Sequence, residues 1–357
     1  MASEERKPNK RKCNIALQFR VYPDAVQAEL FEKTFACCRF LWNQMLSDEQ
    51  EFYSATGEHF IPAPARYKKD FPFLKEVDSL ALASVHQNLR RAFAKFFENP
   101  AHYHYPVYKR KKEVGGSYTT YCQYFKSGPT VYLTDEGIRL PKVGILRATF
   151  HRKPLHWWTL KSATIRKTAT EKYFCSLLYE YEENIPTAVT PDEDTTLGVT
   201  FSAQQLYVDS EGGTGELPPN LKQSQQKLAT MQKKLSRMER GSHNYEQQLH
   251  KIRLLYERIA NQRKDYLHKE SRRIANAYDA VCVSDLDLRA VSRQMGNAME
   301  AGFGEFRVQL AYKLERQGKH LIAVKPVPHT TGTKKNRATN AAIHIKHSGL
   351  AQHLKKR

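Results

Sequence analysis

The sequence predicts an α+β chain of more than one domain, and three observations carry that reading. The chain has 357 residues, enough for two or three cores. Its texture changes along its length: helix-period runs fill 25–98, short alternating runs broken by Gly and Pro fill 103–180, and strands and helices alternate after 197. Between the last two lies NIPTAVTPDEDTT (184–196), an acidic, proline-containing stretch that reads as a linker.

The elements follow in order. IALQFRVY (15–22) alternates apolar and polar as a strand does, and stops at Pro23-Asp24. Asp24 is placed to cap a helix running through AVQAELFEKTFACCRFLWNQMLSDEQEFYSA, with Gly57 as its stop. A second helix fits 77–98, capped by Asp78 or Ser79. Its stripe is Leu82, Val85, Leu89, Phe93 and Phe96, with Arg90, Arg91 and Lys95 mostly off it. VYLTD, EGIRLPKVG, ILRATFHR, LKSATIRKT and EKYFCSLLYEYE are strand-like and spaced as in a small barrel or sandwich. Residues 221–278 read as a helical hairpin broken at Gly241-Ser242. After it come the strand DAVCVSDLDL, a helix around GFGEFRVQLAYKLERQG, the strand HLIAVKPV and a final helix from about Asn340.

Charge bounds the partner. Lys+Arg 57 against Asp+Glu 37 gives a formal net charge of +20, which favours a polyanion, nucleic acid first. The 221–278 stretch holds fourteen Lys/Arg against five Asp/Glu, a net +9, and so is a main candidate surface for phosphates. No long uncharged apolar run suggests a membrane span. MASEERKPNKRK at the start has no apolar core of a secretion signal, and a cytoplasmic (nucleoid) location is expected. Cys13, Cys37, Cys38, Cys122, Cys175 and Cys282 form no CxxC pair, and no zinc site is expected.

LGVTFSAQQLYV (197–208) followed by helices, strand, helix, strand and helix is the order of an RNase H-like α/β domain. Longer stretches resemble the TnpB family of transposon-encoded RNA-guided nucleases. They are FRVYPDAVQAELFEKTFACCRFLWN, FLKEVDSLALASVHQNLRRAFAKFF, YPVYKRKK, GIRLPKVGILRATFHR, IANQRKDYLHKESRRI, GFGEFRVQLAYK and ATNAAIHI, in that order over nearly the whole chain. The resemblance implies a β-barrel wedge domain from 1–25 and 113–190, with a helical recognition domain (26–112) inserted. An RNase H-like (RuvC) domain, 191–357, would follow.

The resemblance also exposes departures. The family's G-x-D-x-G element is here Gly198-Val199-Thr200-Phe201-Ser202. Ser284 stands where a glutamate ends the central strand, and Ala338 where D-x-N-A-A begins. The family's CxxC…CxxC zinc-finger insertion is absent between Val327 and Asn340. Metal-assisted phosphodiester cleavage needs carboxylates around hard cations, so these positions predict no catalytic Mg and no structural Zn. The resemblance therefore points to a nuclease-dead branch, the TldR-type RNA-guided repressors. The expected chain is not an enzyme. As a monomer on one guide RNA, it would bind duplex DNA beside a short target-adjacent motif, form an R-loop and block RNA polymerase. The residues implied for motif contact are Tyr53, Ser79 and Ala83. Arg90, Arg91, Lys109, Arg110, Lys111, Lys112, Lys264, His268, Arg272 and Arg273 are the expected backbone contacts, the last four on one helix face. Two alternatives stay open: a metal-dependent RNA-guided endonuclease rearranged around Asp209, Asp285 or Asp287, and an RNA chaperone without a DNA target.

Overall fold

A computed structural model describes residues 10–111, 115–202, 205–286, 297–325 and 334–355. Lys112 and Asp287 lie outside them. Two compact units divide the chain at Glu183/Asn184.

In the first unit, β1 (Lys10–Val21) leads into α1 (Ala25–Thr56). Asp24 caps α1 with a full capping box: its carboxylate accepts from the Gln27 amide while the Gln27 side chain accepts from the Asp24 amide. Gly57 ends it at φ 73°, a left-handed conformation that costs a residue with a Cβ. Then come α2 (Pro64–Asp70), a 3-10 turn at Pro72–Lys75, and α3 (Ser79–Glu98). Asp78, not Ser79, caps α3, accepting from the Leu80 amide at 2.9 Å.

The strands are β2 (Gly116–Tyr121), β3 (Tyr124–Phe125), β4 (Gly128–Pro129), β5 (Tyr132–Leu133), β6 (Gly137–Leu140), β7 (Gly144–Thr149), β8 (Thr159–Lys167) and β9 (Tyr173–Asn184). All but the small β3–β4 hairpin join one seven-stranded sheet of order β2-β8-β9-β1-β7-β6-β5. The first strand of the chain thus sits between two of the later ones, and α1 to α3 intervene in sequence only. Among the described residues the pairings run in that order from β2 to β5, with no ladder between these two ends. One core ties helices to sheet: Phe31, Leu41, Met45, Leu82 and Leu89 cluster with Phe19, Ile138, Leu146, Ile165 and Leu177, all fully buried. Each such side chain stabilises the fold by about 1.5–3 kcal/mol on burial.

The second unit is built on β10 (Thr196–Phe201), β11 (Tyr207–Asp209), β12 (Ala280–Ser284) and β13 (His320–Val324), in the order β11-β10-β12-β13. β11 is antiparallel to β10; β12 and β13 run parallel to it. The helices are α4 (Pro219–Leu235), α5 (His243–Ala277), α6 (Asn297–Glu315) and α7 (Lys334–Lys355). The predicted hairpin break is real, with Ser242 capping α5. α7 begins six residues before the expected Asn340.

Parallel strands need both faces covered, and they are. Leu197, Val199, Val281 and Val283 pack on Leu267 and Ile274 of α5 and Phe303, Phe306 and Leu310 of α6. On the opposite face, Cys282 packs with Val324 and Ile345 of α7. α7 lies so close that a Cβ on Gly198 would be driven into the carbonyl of Ala342. Among the described residues no helix is long and apolar enough to cross a membrane.

Candidate nucleic-acid interface

Tyr53 lies near the end of α1 and is 47% exposed, so it is not a core side chain. Its ring stacks on His59, with centroids 4.5 Å apart and planes at 18°. Ser79 accepts a hydrogen bond from Lys68 Nζ at 2.8 Å, a cation that sequence reasoning missed. Ala83 follows Ser79 by four residues and shares its face of α3. Arg90 and Arg91 are exposed further along the same helix.

The basic run after Tyr105 is not four equivalent cations. Trp42 Nε1 donates to the Val107 carbonyl at 3.0 Å, and Asn43 exchanges two hydrogen bonds with the Lys109 backbone, at 2.7 and 3.0 Å. That clamp holds Lys109 Nζ 3.7 Å over the Trp42 ring. Burial of the ammonium lowers its pKa, although the residue as a whole is exposed. Lys109 therefore fastens the segment to α1, while Arg110 and Lys111 stand exposed beyond it.

Nor do Lys264, His268, Arg272 and Arg273 form one face. The first three recur every four residues and form a row. Arg273 turns away, donating to Glu270 at 2.8 Å and to the Tyr207 hydroxyl at 3.0 Å, in a cluster with the Tyr207–Glu270 hydrogen bond. Within the row, burial and the charges of Lys313 and Lys264 hold the His268 imidazole below the usual histidine range. At neutral pH it offers a hydrogen bond, not a counter-charge.

Behind this row Lys313 of α6 is only 6% exposed, and its Nζ donates to the His268 carbonyl at 2.7 Å and Ser271 Oγ at 2.6 Å. Burial, then Arg272, push its pKa down from 10.5 to about 8. Below about 8 the amine is charged in folded and unfolded chains alike, and the cost of burying that charge is fully present. Above it the folded chain binds fewer protons than the unfolded one, so unfolding free energy should rise with pH from about 8 towards 10.5. Urea melts at pH 7.5 and 9.5 test this. Lys313→Met should remove the rise, and an unchanged slope would refute the assignment.

Thr200 and Ser284 do come together. Val199 pairs with Val283 in the parallel ladder, and one step further Thr200 and Ser284 stand at the carboxyl ends of adjacent strands. Neighbouring strands lie about 4.8 Å apart. Both side chains alternate onto the α7 face, opposite Val199 and Val283. Ser284 is 2% exposed and Thr200 half-buried. Ala338 lies one turn of α7 before Ala342, whose carbonyl abuts Gly198. Two neutral hydroxyls are weak ligands for a hard cation, and a methyl is none.

The carboxylates nearby are otherwise engaged. Asp209 pairs with Val199 and so faces away from Thr200. It accepts from the amides of Glu211 at 3.0 Å and Gly213 at 2.7 Å, closing its own turn. Asp285 ion-pairs with Arg307 of α6 at 3.4 Å, on the other side of the sheet from Ser284. Asp287 lies outside the described residues. Among the described residues no group of three His, Cys, Asp or Glu side chains is placed to hold a metal ion.

Comparison with known proteins finds similar chains and a similar fold. Residues 176–295 match the OrfB_IS605 family, described as "Probable transposase", and residues 13–58 match HTH_OrfB_IS605, described as "Helix-turn-helix domain". In this chain residues 13–58 form most of β1 and the single helix α1. "Putative RNA-guided DNA endonuclease InsQ" of Escherichia coli (strain K12) is 26% identical over 339 residues, covering 87% of this chain and 80% of its own. "Putative RNA-guided DNA endonuclease" of Streptomyces pristinaespiralis is 26% identical over 324 residues, covering 87% and 77%. The fold is similar to that in the cryo-EM structure of the Cas12f1-sgRNA-target DNA complex, with a TM-score of 0.58 at 12% identity over 94% of this chain and 99% of that one.

These findings correct one expectation. The chain was read as no enzyme, yet both relatives bear endonuclease names and the family description is that of a transposase. Two family matches in separate segments, relatives along most of the length and a mixed α/β fold like that of the Cas12f1 complex make this chain similar to the TnpB/IS605 family.

Proposed function

We propose that this chain is an RNA-guided DNA-binding protein that occupies motif-flanked duplex DNA and represses transcription there. The match over 87% of the chain to relatives named as RNA-guided DNA endonucleases carries the guided part. In such proteins base pairing with the guide reads sequence, and the protein grips backbones and reads a short flanking motif. The formal charge of +20 suits that grip. Tyr53, Ser79 and Ala83 serve as motif contacts. Arg90, Arg91, Arg110, Lys111, Lys264 and Arg272 serve as backbone contacts, and one chain holds one RNA.

Repression is supported by the hydroxyls of Thr200 and Ser284 at the strand ends. Without carboxylates there, divalent cations are held weakly and occupancy outlasts cutting. The second reading, a metal-dependent RNA-guided endonuclease, is favoured by the relatives' names.

Purification of the chain from its own host, followed by sequencing of the co-purified RNA, is the test. The expected result is one discrete RNA with a constant structured part and a short end complementary to a promoter. A reporter carrying that promoter should then be repressed by the chain and its RNA. A random RNA mixture, or none, would overturn the guided reading. Rapid guided cleavage of the matched duplex in Mg²⁺ or Mn²⁺ would favour the endonuclease.

A further inference from the structure

A cavity of about 350 Å³ opens beside α3 in the first unit, lined by His59, Phe60, Ile61, His86, Arg90 and Phe93. That volume lies at the lower end of small-molecule sites, roughly 300–1,000 Å³. Building on the guided DNA-binding reading, we infer that it takes one DNA base drawn out of the duplex stack beside the recognised motif.

The first argument is placement. Ser79, Ala83, His86 and Arg90 recur at i, i+4, i+7 and i+11 and so form one stripe of α3. The row that begins with the proposed motif contacts therefore ends in the cavity. Tyr53, the third motif contact, stacks on His59, which forms part of its lining. Two elements thus lead from the motif contacts to the cavity.

The second argument is construction. His59 Nδ1 hydrogen-bonds Glu49, whose carboxylate is wholly buried and also accepts from the Tyr105 hydroxyl at 2.7 Å. It packs on Phe97 at 4.5 Å as well. This wall is fixed before any ligand arrives. His86 Nε2 lies 3.3 Å from the Ile61 carbonyl, which ties the loop after α1 to α3.

Chemistry names the occupant. Phe93 is buried and Phe60 is 49% exposed, so one ring forms the interior while the other stands at the opening. Aromatic faces with a guanidinium beside them match a stacked base carrying a phosphate. The carboxylate behind His59, that of Glu49, is committed to His59 and Tyr105. Drawing out a base costs a few kcal/mol of unstacking, which a shaped, stacking cavity offsets.

The experiment uses the full chain with its guide RNA and matched duplexes bearing a single abasic site or 2-aminopurine at each position flanking the motif. At one position, 2-aminopurine fluorescence should rise on binding. Phe60→Ala should lose about tenfold in affinity on normal duplex, the size of one stacking contact, and nothing further on the duplex abasic at that position. His86→Ala should behave alike, and melting curves check that both variants fold. Equal losses on all duplexes, or no loss, would overturn the inference. Weaker RNA binding by Phe60→Ala without DNA would overturn it too, assigning the cavity to an RNA base. Failure of the unmodified chain to bind DNA in an RNA-dependent way would remove the guided reading and this one together. Guided binding insensitive to every abasic site would remove this one alone.

Discussion

Placing carboxylates at the strand ends, as Thr200→Asp, Ser284→Glu and Ala338→Asp together, is expected to raise Mg²⁺-dependent cleavage of guide-matched DNA on the order of 10²-fold over the unaltered chain. Thr200 and Ser284 stand at adjacent parallel strand ends, so carboxylates there would be carried on backbones about 5 Å apart. Two metals bridging a phosphodiester sit roughly 3.5–4 Å apart, within reach of both. Without metal, the new acids repel each other and melting temperature should fall; Mg²⁺ should restore it by binding the folded state. Ser284 is nearly buried, so a glutamate risks overpacking by about 1–3 kcal/mol. Ser284→Asp then serves as the smaller alternative, with the Mg²⁺-dependent melting shift read beside cleavage. If the unaltered chain already cuts as fast as the variant, occupancy is not its main output. If the variant binds Mg²⁺ and still does not cut, ligands at these three positions are insufficient for the chemistry.

Local signals were legible wherever a few neighbouring residues decided the structure. Asp24 and Gln27 announced α1, Gly57 its end, and Gly241-Ser242 the turn between α4 and α5. β2 was missed because GSYTTY has no apolar alternation: it survives by pairing with β8 and by packing Tyr118 on Phe31 and Phe35. α7 began earlier than expected because KKNRAT offers no apolar stripe. The strand-end residues Thr200 and Ser284 could be picked out because a motif resemblance fixed their register. Surface roles were less legible, since they depend on partners distant in sequence. Lys109 is committed by Trp42, Arg273 by Glu270 and Tyr207, and burial with the charge of Lys313 lowers the pKa of His268. A run of cations in sequence gives a charge; only the fold tells which of them are engaged by neighbouring side chains.

Gly198→Ala should destabilise the second unit by about 3 kcal/mol, the upper part of the overpacking range, lowering its melting temperature by roughly 6–12 °C for a unit of this size. A Cβ there would lie 2.9 Å from the Ala342 carbonyl carbon and 2.9 Å from Lys346 Cβ, with the carbonyl oxygen closer still. The obstacle is helix backbone, so no rotamer change relieves it; α7 must lift off the sheet. Gly57→Ala is the informative contrast. Its added methyl meets nothing within 4 Å, and it loses only the left-handed preference of glycine, about 1 kcal/mol. Because α7 carries Ala338, lifting it would also shift that position relative to Thr200 and Ser284. The role of Gly198 is thus mechanical: the close approach of α7 requires a glycine two residues before Thr200, whatever side chain Thr200 carries. Equal melting of Gly198→Ala and the unaltered chain would mean that α7 does not hold this close approach in solution.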